Sequence, residues 1–209
     1  MDFEQIFKNN QDWIQKQTKK NPNYFKELNE GQKPEVLYIG CSDSRVPAED
    51  LMGMKPGELF VHRNVANIVN AIDLNAQSVI NYAVTHIKVN HIIVCGHYNC
   101  GGVKAAMEAK DLGILNPWLR NIRDVYREHK DEISQISDSV KKYDRLVELN
   151  VYEQTINVIK MAAVQRAMRT RNMQIHGWVF DMRTGSLIDL KIDFKKILDE
   201  IMEIYRLDE

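Results

Sequence analysis

Two short stretches of the chain hold the side chains best suited to chemistry. The first, CSDSR, places the thiol of Cys41 close in sequence to the carboxylate of Asp43 and the guanidinium of Arg45. The second, CGHYNCGG, contains His97 and Cys100 with two residues between them. Two thiolates and one imidazole form a ligand set that favours zinc, and three protein ligands leave one position for water, as in catalytic zinc sites. Asp43 is then a candidate fourth ligand that can come and go.

Each stretch taken singly also has a structural interpretation. The serine and aspartate of CSDSR could cap a helix, and a His-x-x-Cys spacing can arise from a buried cysteine beside a capping histidine. Both stretches, however, follow an apolar run that contains glycine at its end, so they occupy equivalent positions after predicted strands. This coincidence favours a shared metal site over two unrelated structural features.

The elements that must position these residues are short apolar runs that alternate with helical segments. EVLYIG and HIIVCG are typical of buried parallel strands, and ELFVHRN predicts a third strand. QIHGWVFDMRTGSLIDLKI predicts two further strands joined by a turn at RTGS. Strands alternating with helices predict an α/β fold with a mostly parallel central sheet flanked by helices. Because ligands bind at the carboxyl ends of such strands, the loops after Gly40 and Gly96 should meet there.

Helical periodicity covers much of the remaining sequence. FEQIFKNNQDWIQKQ predicts an amphipathic N-terminal helix, and NPNYFKELN predicts a second helix with Pro22 in its first turn and Gly31 after its end. DLNAQSVINYAVTHI predicts a helix capped by Asp73. A helical stretch from roughly Asn116 to Thr170 should break within HKDEISQISDSV, and FKKILDEIMEIY predicts a C-terminal helical region.

Composition limits the kinds of protein that the chain can be. The 209 residues are 44% hydrophobic and 27% charged, and no linker divides them. This predicts a single domain over residues 1–209, with a helical arm over residues 1–30. The formal net charge of −1 gives no electrostatic case for binding nucleic acid or an anionic membrane surface. No export signal or membrane-spanning run is recognisable, so we expect a cytoplasmic protein.

The remaining cysteine, histidines and tryptophans fit structural roles. Three cysteines are too few, and odd in number, for a disulfide framework, and Cys95 is expected to be a small buried residue of an apolar strand. Packing or hydrogen bonding is the expected role of four histidines, His62, His86, His91 and His176. Anchoring of the core or of an interface is the expected role of the tryptophans, Trp13, Trp118 and Trp178.

The two chemical stretches together resemble the signature of β-class carbonic anhydrases. CSDSR followed by GHYNCGG is the signature, and the resemblance continues through GELFVHRNVAN, NYAVTHIKVNHIIVCGH, ELNVYEQ and IHGWVFD. The chain looks like the bacterial type, in which an aspartate can ligate the zinc. The resemblance implies reversible hydration of carbon dioxide to bicarbonate and a proton, at Zn²⁺ held by Cys41, His97 and Cys100. Zinc makes the nucleophile by lowering the pKa of its water from about 15.7 to about 7, a figure that belongs to a carbonic anhydrase with three histidine ligands.

The same resemblance assigns catalytic roles to Asp43 and Arg45. Two thiolates cancel the charge of a zinc ion, so the nucleophilic hydroxide needs stabilisation from nearby hydrogen bonds. In the family, the aspartate accepts a hydrogen bond from that hydroxide and turns an oxygen lone pair towards carbon. The bidentate arginine holds the carboxylate in place. Thiol, carboxylate and guanidinium are thereby implied to be ligand, orienter and anchor.

A substrate pocket and an assembly are also implied by the resemblance. The corresponding pocket residues are Gln32, Phe60, Val65, Tyr82, Gly101 and Gly102. The glutamine donates a hydrogen bond to substrate oxygen, the apolar and aromatic side chains suit a nonpolar gas, and the first glycine leaves its N–H open to close approach. Members of the family are dimers or larger assemblies. We therefore expect a homodimer or homotetramer, with the N-terminal helix around Phe3 to Trp13 wrapping the partner.

Two regulatory features follow from the bacterial members. Some of them close the site when the aspartate turns from its arginine and binds zinc, so alkaline conditions should favour the open form. They also bind bicarbonate in a noncatalytic pocket built from tryptophan, arginine and tyrosine, where this chain has Tyr38, Arg63 and Phe180. Because Phe180 has no hydroxyl to hydrogen-bond the anion, we expect bicarbonate inhibition through this pocket to be weak or absent.

Three alternatives stay open at the level of sequence. A zinc hydrolase of carbon disulfide or carbonyl sulfide could use the same scaffold and would differ in access to the pocket. A non-catalytic zinc-binding or bicarbonate-sensing protein is a second alternative, although such a relative should have lost Asp43, Arg45 or a ligand. A redox function is weaker, because Cys95 and Cys100 lack the Cys-x-x-Cys spacing.

Overall fold

A computed structural model describes residues 2–204 and 206–207 of the chain. Its strands are β1 Val36–Cys41, β2 Leu59–Asn64, β3 His91–His97, β4 Gln174–Asp181 and β5 Ser186–Asp189. They form one sheet in the order β2-β1-β3-β4-β5. The first four strands of that order pair in parallel, and β5 returns antiparallel to β4. The predicted α/β fold with a mostly parallel sheet is confirmed.

The two central strands are buried because the sequence gives both of their faces apolar or small side chains. Every residue of β1 after Val36 is buried, and so is every residue of β3 after His91. Their register places Gly40 beside Cys95, so the two strands end at the same edge of the sheet. The prediction that the loops after Gly40 and Gly96 lie together is therefore confirmed.

Helices account for most of the remaining described residues. They are α1 Phe3–Lys20, α2 Tyr24–Asn29, α3 Ala48–Met52, α4 Leu74–Tyr82, α5 Gly101–Met107, α6 Leu115–Glu128, α7 Lys130–Ser134, α8 Ser139–Ile159, α9 Ala162–Arg171 and α10 Phe194–Ile204. A 3₁₀ turn at Val65–Asn67 follows β2, and a π-helical turn at Ala83–Ile87 extends α4. Within the described ranges, no helix is both long enough and apolar enough to cross a membrane.

The N-termini of two helices test the predicted start signals. Asp73 caps α4 as predicted, because its carboxylate accepts a hydrogen bond from the N–H of Asn75. Pro22, in contrast, lies before α2 and not in its first turn. The Asn21 side chain accepts a hydrogen bond from the N–H of Asn23 and closes a turn around the proline, so the helix starts only after that turn.

The predicted long helical stretch is divided more often than expected. It breaks between α7 and α8, inside HKDEISQISDSV as predicted, where Asp138 caps the next helix through the N–H of Lys141. It also breaks between α8 and α9, where Met161 adopts an extended backbone conformation. Apolar spacing runs through this second break, so the sequence carried no signal for it.

The chain divides into two compact units, Met1–Lys33 and Pro34–Glu209. In the first unit, the Trp13 ring on α1 lies edge-on to Phe25 on α2, with 5.4 Å between centroids. The predicted N-terminal helix is present, and none of its residues is buried. Several of its apolar side chains are exposed, among them Phe3, Ile6 and Phe7.

In the second unit, α8 packs closely against β3 and β4. The approach is possible because the facing strand positions are glycines. A Cβ on Gly96 would lie 2.6 Å from Val151 Cγ2, and a Cβ on Gly177 would lie 3.3 Å from Val151 Cγ1. These glycines let a helix and a sheet approach more closely than larger residues would permit.

Two amides buried on α8 hold the turn that follows β2. Asn150 Nδ2 donates a hydrogen bond to the carbonyl of Ala66 at 3.0 Å, and Gln154 Oε1 accepts one from the N–H of Val69 at 2.8 Å. Ala66 has a left-handed φ of 64°, which is unfavourable for a residue with a Cβ. The hydrogen bond from Asn150 therefore helps to keep this turn in an otherwise disfavoured conformation.

Candidate metal centre

Three buried side chains meet at the carboxyl ends of the central strands. Cys41 ends β1, His97 ends β3, and Cys100 directly precedes α5. Their donor atoms all lie within 4.8 Å of one another, and the two sulfur atoms are 3.9 Å apart. The structure thus brings together the three residues that the sequence singled out as metal ligands.

The His97 imidazole is oriented as a metal ligand would be. Its Nδ1 lies 3.0 Å from the carbonyl of Tyr98, and because a carbonyl only accepts, Nδ1 carries the proton. Nε2 then presents a lone pair towards the thiols, yet it has no hydrogen-bond partner among the described residues although it is buried. A buried acceptor without a partner is costly, and a metal ion in front of it removes that cost.

The two thiols also fit a cation between them. A hydrogen bond from Cys100 lowers the pKa of the Cys41 thiol, although burial opposes this shift. The same hydrogen bond, together with burial, raises the pKa of the Cys100 thiol. The pair therefore accepts one negative charge readily and resists the second. A divalent ion bound to both sulfurs would stabilise both thiolates, and the sulfur and nitrogen donors suit a borderline metal such as zinc.

Asp43 and Arg45 form a bidentate ion pair beside these donors. Arg45 Nε donates to Asp43 Oδ1 at 2.9 Å, and Arg45 Nη2 donates to Asp43 Oδ2 at 2.6 Å. The guanidinium holds the pKa of the Asp43 carboxyl well below its usual range. Asp43 Oδ2 lies 3.8 Å from His97 Nε2, so the carboxylate faces the donor cluster. The Arg45 side chain is 53% exposed, while the Asp43 side chain is 15% exposed.

Comparison with known proteins places this site in a family. The carbonic anhydrase family matches residues 36–187. A carbonic anhydrase of Emericella nidulans is 57% identical over 205 residues, which are 98% of this chain and 90% of that protein. The solved β-carbonic anhydrase CafA of Aspergillus fumigatus superposes with a TM-score of 0.92 at 37% identity, over 99% of both chains. The chain belongs to the β-carbonic anhydrase family.

A further solved structure is that of a tetrameric β-carbonic anhydrase from Sordaria macrospora, with a TM-score of 0.88 at 38% identity. The superposition covers 91% of this chain and 97% of the Sordaria macrospora chain. All three relatives are fungal, so the comparisons do not favour the bacterial affinity that the motifs suggested. The β-class itself, recognised from the same motifs, is confirmed.

Two of the residues implied for a β-carbonic anhydrase substrate pocket are in contact. Phe60 and Tyr82 pack together, with ring centroids 5.8 Å apart, and Tyr82 is 48% exposed. The ring of Tyr82 also contacts His86, at 5.3 Å. Gln32 lies in the first compact unit, after α2, and is exposed.

The two glycines after Cys100 differ in their surroundings. A Cβ on Gly101 would meet no atom within 4 Å, so the space beside this residue is open. A Cβ on Gly102 would lie 2.8 Å from Val65 Cγ1 and 3.1 Å from the Cβ of Ala66. Gly102 is therefore needed for packing against the left-handed turn, whereas Gly101 is free of such contact.

Tyr38, Arg63 and Phe180, which correspond to the noncatalytic bicarbonate pocket of the bacterial β-carbonic anhydrases, lie on three strands. Tyr38 is buried, and its ring folds over Gly40 so closely that a Cβ there would meet it. Burial raises the pKa of Tyr38, and the nearby Arg63 charge opposes that rise. Phe180 is buried at the position of β4 that pairs with His97.

A second Asp-x-Arg pair has the geometry of the first. Arg183 Nε donates to Asp181 Oδ1 at 2.9 Å, and its Nη2 donates to Asp181 Oδ2 at 3.2 Å. This second pair lines a cavity of about 1020 Å³ that also reaches Arg45. Neither member belongs to a group of potential metal ligands among the described residues. The Asp43–Arg45 pair is therefore distinguished by its position, because Asp43 Oδ2 lies 3.8 Å from His97 Nε2.

Several contacts that support the centre were not predicted from the sequence. The hydroxyl of Tyr143 donates to the carbonyl of Cys100 at 2.6 Å, and the indole of Trp118 donates to the carbonyl of Val65 at 2.9 Å. The guanidinium of Arg63 donates to the carbonyls of Cys41 and Asp43. All of these acceptors are backbone atoms, for which residue type and spacing give no signal.

The side chains expected to be structural are hydrogen-bonded or packed. Cys95 is buried, and burial raises its pKa to about 12. His91 and His176 hydrogen-bond each other at 3.1 Å, and His62 lies 3.0 Å from the side-chain amide of Asn64. The sequence did not predict a second group of possible metal ligands, Glu128, His129 and Glu153. Glu128 is exposed, and the other two side chains are only partly buried.

Proposed function

We propose that the chain is a zinc-dependent carbonic anhydrase that interconverts carbon dioxide and water with bicarbonate and a proton. One observation carries this proposal beyond family membership. The buried, unpartnered Nε2 of His97 points into the same small volume as the sulfurs of Cys41 and Cys100. Next to that volume is a carboxylate that an arginine keeps ionised.

Cys41, His97 and Cys100 would hold the metal, with Asp43 adjacent to the remaining position. When bound there, zinc supplies a Lewis acid that lets water lose a proton near neutral pH. Because the two thiolates neutralise the charge of the ion, the surrounding hydrogen bonds carry more of the stabilisation than they would beside neutral ligands.

In this proposal, Asp43 accepts a hydrogen bond from the attacking water and turns an oxygen lone pair towards the carbon of the substrate. Arg45 performs two tasks: it keeps the carboxylate ionised and fixes its rotation through two hydrogen bonds. A carboxylate held in this way rarely adopts unproductive orientations, which is the advantage of a preorganised group.

The substrate side is assigned by analogy with the family. The proposed pocket residues are Gln32, Phe60, Val65, Tyr82, Gly101 and Gly102. The contact between the Phe60 and Tyr82 rings supports an apolar lining for a nonpolar gas. The open space beside Gly101 supports close approach of the substrate to its N–H.

Stopped-flow measurement of carbon dioxide hydration, together with metal analysis of the purified protein, tests the function. We expect stoichiometric zinc and hydration activity in the wild-type protein, and loss of both in Cys100→Ser. An assay of sulfide release from carbon disulfide and carbonyl sulfide runs beside it. Sulfide release without hydration would replace the proposal with the hydrolase, and bound zinc without either activity would replace it with a binding protein.

We further propose that Asp43 acts as a switch. The distance of 3.8 Å between Asp43 Oδ2 and His97 Nε2 puts the carboxylate within a small rotation of the donor cluster. Asp43 and hydroxide compete for one ligand position, so higher pH should favour the arrangement in which Arg45 holds Asp43. Crystal structures of the zinc-loaded protein at low and high pH should show the Asp43 carboxylate bound to zinc at low pH and paired with Arg45 at high pH. An unchanged zinc environment would contradict the switch.

The altered pocket of Tyr38, Arg63 and Phe180 is proposed to bind bicarbonate weakly or not at all. Phe180 offers no hydroxyl to an anion, and Tyr38 is buried and folded against its own strand. Initial rates measured across a range of bicarbonate concentrations should show no cooperative inhibition. Strongly cooperative inhibition that Arg63→Ala abolishes would contradict this.

The proposed assembly is a homodimer or homotetramer in the cytoplasm. Its support is the tetrameric relative from Sordaria macrospora and the exposed apolar side chains of Phe3 and Phe7. We propose one domain over residues 1–209, with the arm over residues 1–30 contacting the partner. Light scattering coupled to size exclusion should report two or four subunits, and deletion of the arm should lower that number.

A further inference from the structure

The end of β2 holds the backbone of the segment that carries the first metal ligand. Arg63 Nε donates to the carbonyl of Cys41 at 2.8 Å, and Arg63 Nη2 donates to the carbonyl of Asp43 at 2.6 Å. The N–H of Ser42, between them, donates to the carbonyl of Asn64 at 2.8 Å. Three consecutive residues are thus tied to two neighbouring residues of β2.

We propose that Arg63 is a positioning residue for the metal centre. By holding the carbonyls of Cys41 and Asp43, it fixes the backbone from which the thiolate reaches the metal and from which the carboxylate reaches Arg45. The effect of Arg63 on how tightly the protein holds its metal does not depend on which reaction the protein catalyses. Its effect on turnover rests on the proposed function.

The chemistry of the side chain explains why an arginine stands at this position. A guanidinium is planar and presents several N–H donors at fixed angles, so one group can bind two carbonyls in a defined relative orientation. A lysine ammonium keeps the charge but is a flexible point donor without that fork. The geometry of the two acceptors, and not the charge alone, is what Arg63 recognises.

This arrangement gives Arg63 a different role from anion receptor. Two of its N–H groups already bind backbone carbonyls, and the buried Tyr38 lies close to it. An anion that displaced those two bonds would free the segment between Cys41 and Asp43. Arg63 can therefore stabilise the metal centre without any bicarbonate bound nearby.

The test compares Arg63→Lys with wild type in three measurements. Zinc transfer from the holoprotein to a chromophoric chelator should accelerate by about 10- to 100-fold, because losing a group that orients a metal ligand usually weakens metal affinity by about that factor. The absorption bands of the cobalt-substituted protein should shift, because the angle of the Cys41 thiolate changes. For hydration, kcat should fall while KM changes little.

Arg171→Lys is the matched control. Its guanidinium also donates to backbone carbonyls, those of Val84 at 2.9 Å and Val89 at 2.6 Å, but at the other end of β3. We expect this variant to lose some thermal stability while keeping the wild-type rate of zinc transfer and the cobalt spectrum. Equal acceleration of zinc transfer in both variants would mean a general loss of stability and would overturn the inference.

Chemical rescue provides a second line. In Arg63→Ala, added guanidinium ion at millimolar concentration should slow zinc transfer towards the wild-type rate, whereas equal concentrations of ammonium should not. Wild-type zinc transfer and spectrum in Arg63→Lys would overturn the inference, even if bicarbonate inhibition changed. If the wild-type protein bound zinc but lacked hydration activity, the proposed function would be wrong. The zinc-transfer rates and cobalt spectra would still test whether Arg63 positions the metal centre.

Discussion

The sulfur atoms of Cys41 and Cys100 lie 3.9 Å apart, although 59 positions separate the two residues in the chain. Adjacent parallel strands make this possible, because β1 and β3 end side by side and each thiol lies just at or beyond its strand end. Both thiols are free and buried. Their mutual hydrogen bond makes one acidic and the other resistant to ionisation, and this difference gives a first prediction.

Removal of the metal should expose a thiol that reacts at unusually low pH. The hydrogen bond from Cys100 holds the pKa of Cys41 below the ordinary thiol range, so its thiolate is present at neutral pH and is lost only as the pH falls through that lowered pKa. Iodoacetamide should therefore modify Cys41 of the apoprotein about equally fast at pH 6 and pH 8, with mass spectrometry locating the adduct. Cys95, whose pKa burial raises, should stay unmodified. A rate that rises through the ordinary thiol range would contradict the prediction.

Asp43→Asn should abolish most hydration activity without releasing zinc. The substitution keeps the size of the side chain but removes the charge that Arg45 binds and replaces one of the two acceptor oxygens with an NH2 donor, so kcat should fall by about 100-fold or more. Arg45 keeps Asp43 ionised well below neutral pH, so the loss should appear at every pH from about 6 to about 9. The second Asp-x-Arg pair offers the control: Asp181→Asn breaks the same fork and should leave kcat unchanged. Equal losses in the two variants would contradict the assignment.

Gly102→Ala should destabilise the protein more than Gly101→Ala. The new methyl of Gly102→Ala would lie 2.8 Å from Val65 Cγ1, so the left-handed turn must shift, at a cost of about 1–3 kcal/mol. At Gly101 the methyl enters open space, and alanine is the better helix former by about 1 kcal/mol. Thermal unfolding should give a Tm lowered by several degrees for the first variant only. Similar Tm values would show that the turn yields easily.

Tyr143→Phe should loosen the metal centre modestly. It removes the hydrogen bond to the carbonyl of Cys100, which costs about 1 kcal/mol in stability, and it should speed zinc transfer to a chelator by a few-fold. Tyr152→Phe is the comparison, because the hydroxyl of Tyr152 has no hydrogen bond among the described residues. Unchanged zinc transfer in Tyr143→Phe would mean that α5 holds Cys100 without help from α8.

The strand positions and the three candidate ligands were accessible from the sequence because they obey regular rules. Apolar runs ending in glycine predict buried strands, and parallel strands bring their carboxyl ends together, so Cys41 and His97 had to be neighbours. The class of enzyme was accessible for a different reason: long, specific motifs surround those residues. The comparisons do not support the bacterial affinity, because the carbonic anhydrases described above as similar to this chain are fungal.

The contacts that aim the ligands were not accessible in this way. Arg63, Tyr143 and Trp118 all bind backbone carbonyls, which every residue possesses. A prediction from residue types cannot choose among such acceptors. The prediction that Pro22 lies in the first turn of α2 was wrong because of another local contact. The side chain of Asn21 accepts a hydrogen bond from the N–H of Asn23 and closes a turn that competes with the helix start.

The amide of Asn150, which is not one of the candidate metal ligands, limits which substitutions the protein can accept in α8. It occupies the middle of α8, a fully buried position that an aliphatic side chain could fill without the cost of removing an amide from water. Replacing Asn150 with leucine would remove the amide that donates to the carbonyl of Ala66 and would let the neighbouring turn relax. Repacking this helix with apolar residues could then raise thermal stability at the expense of the shape of the active site.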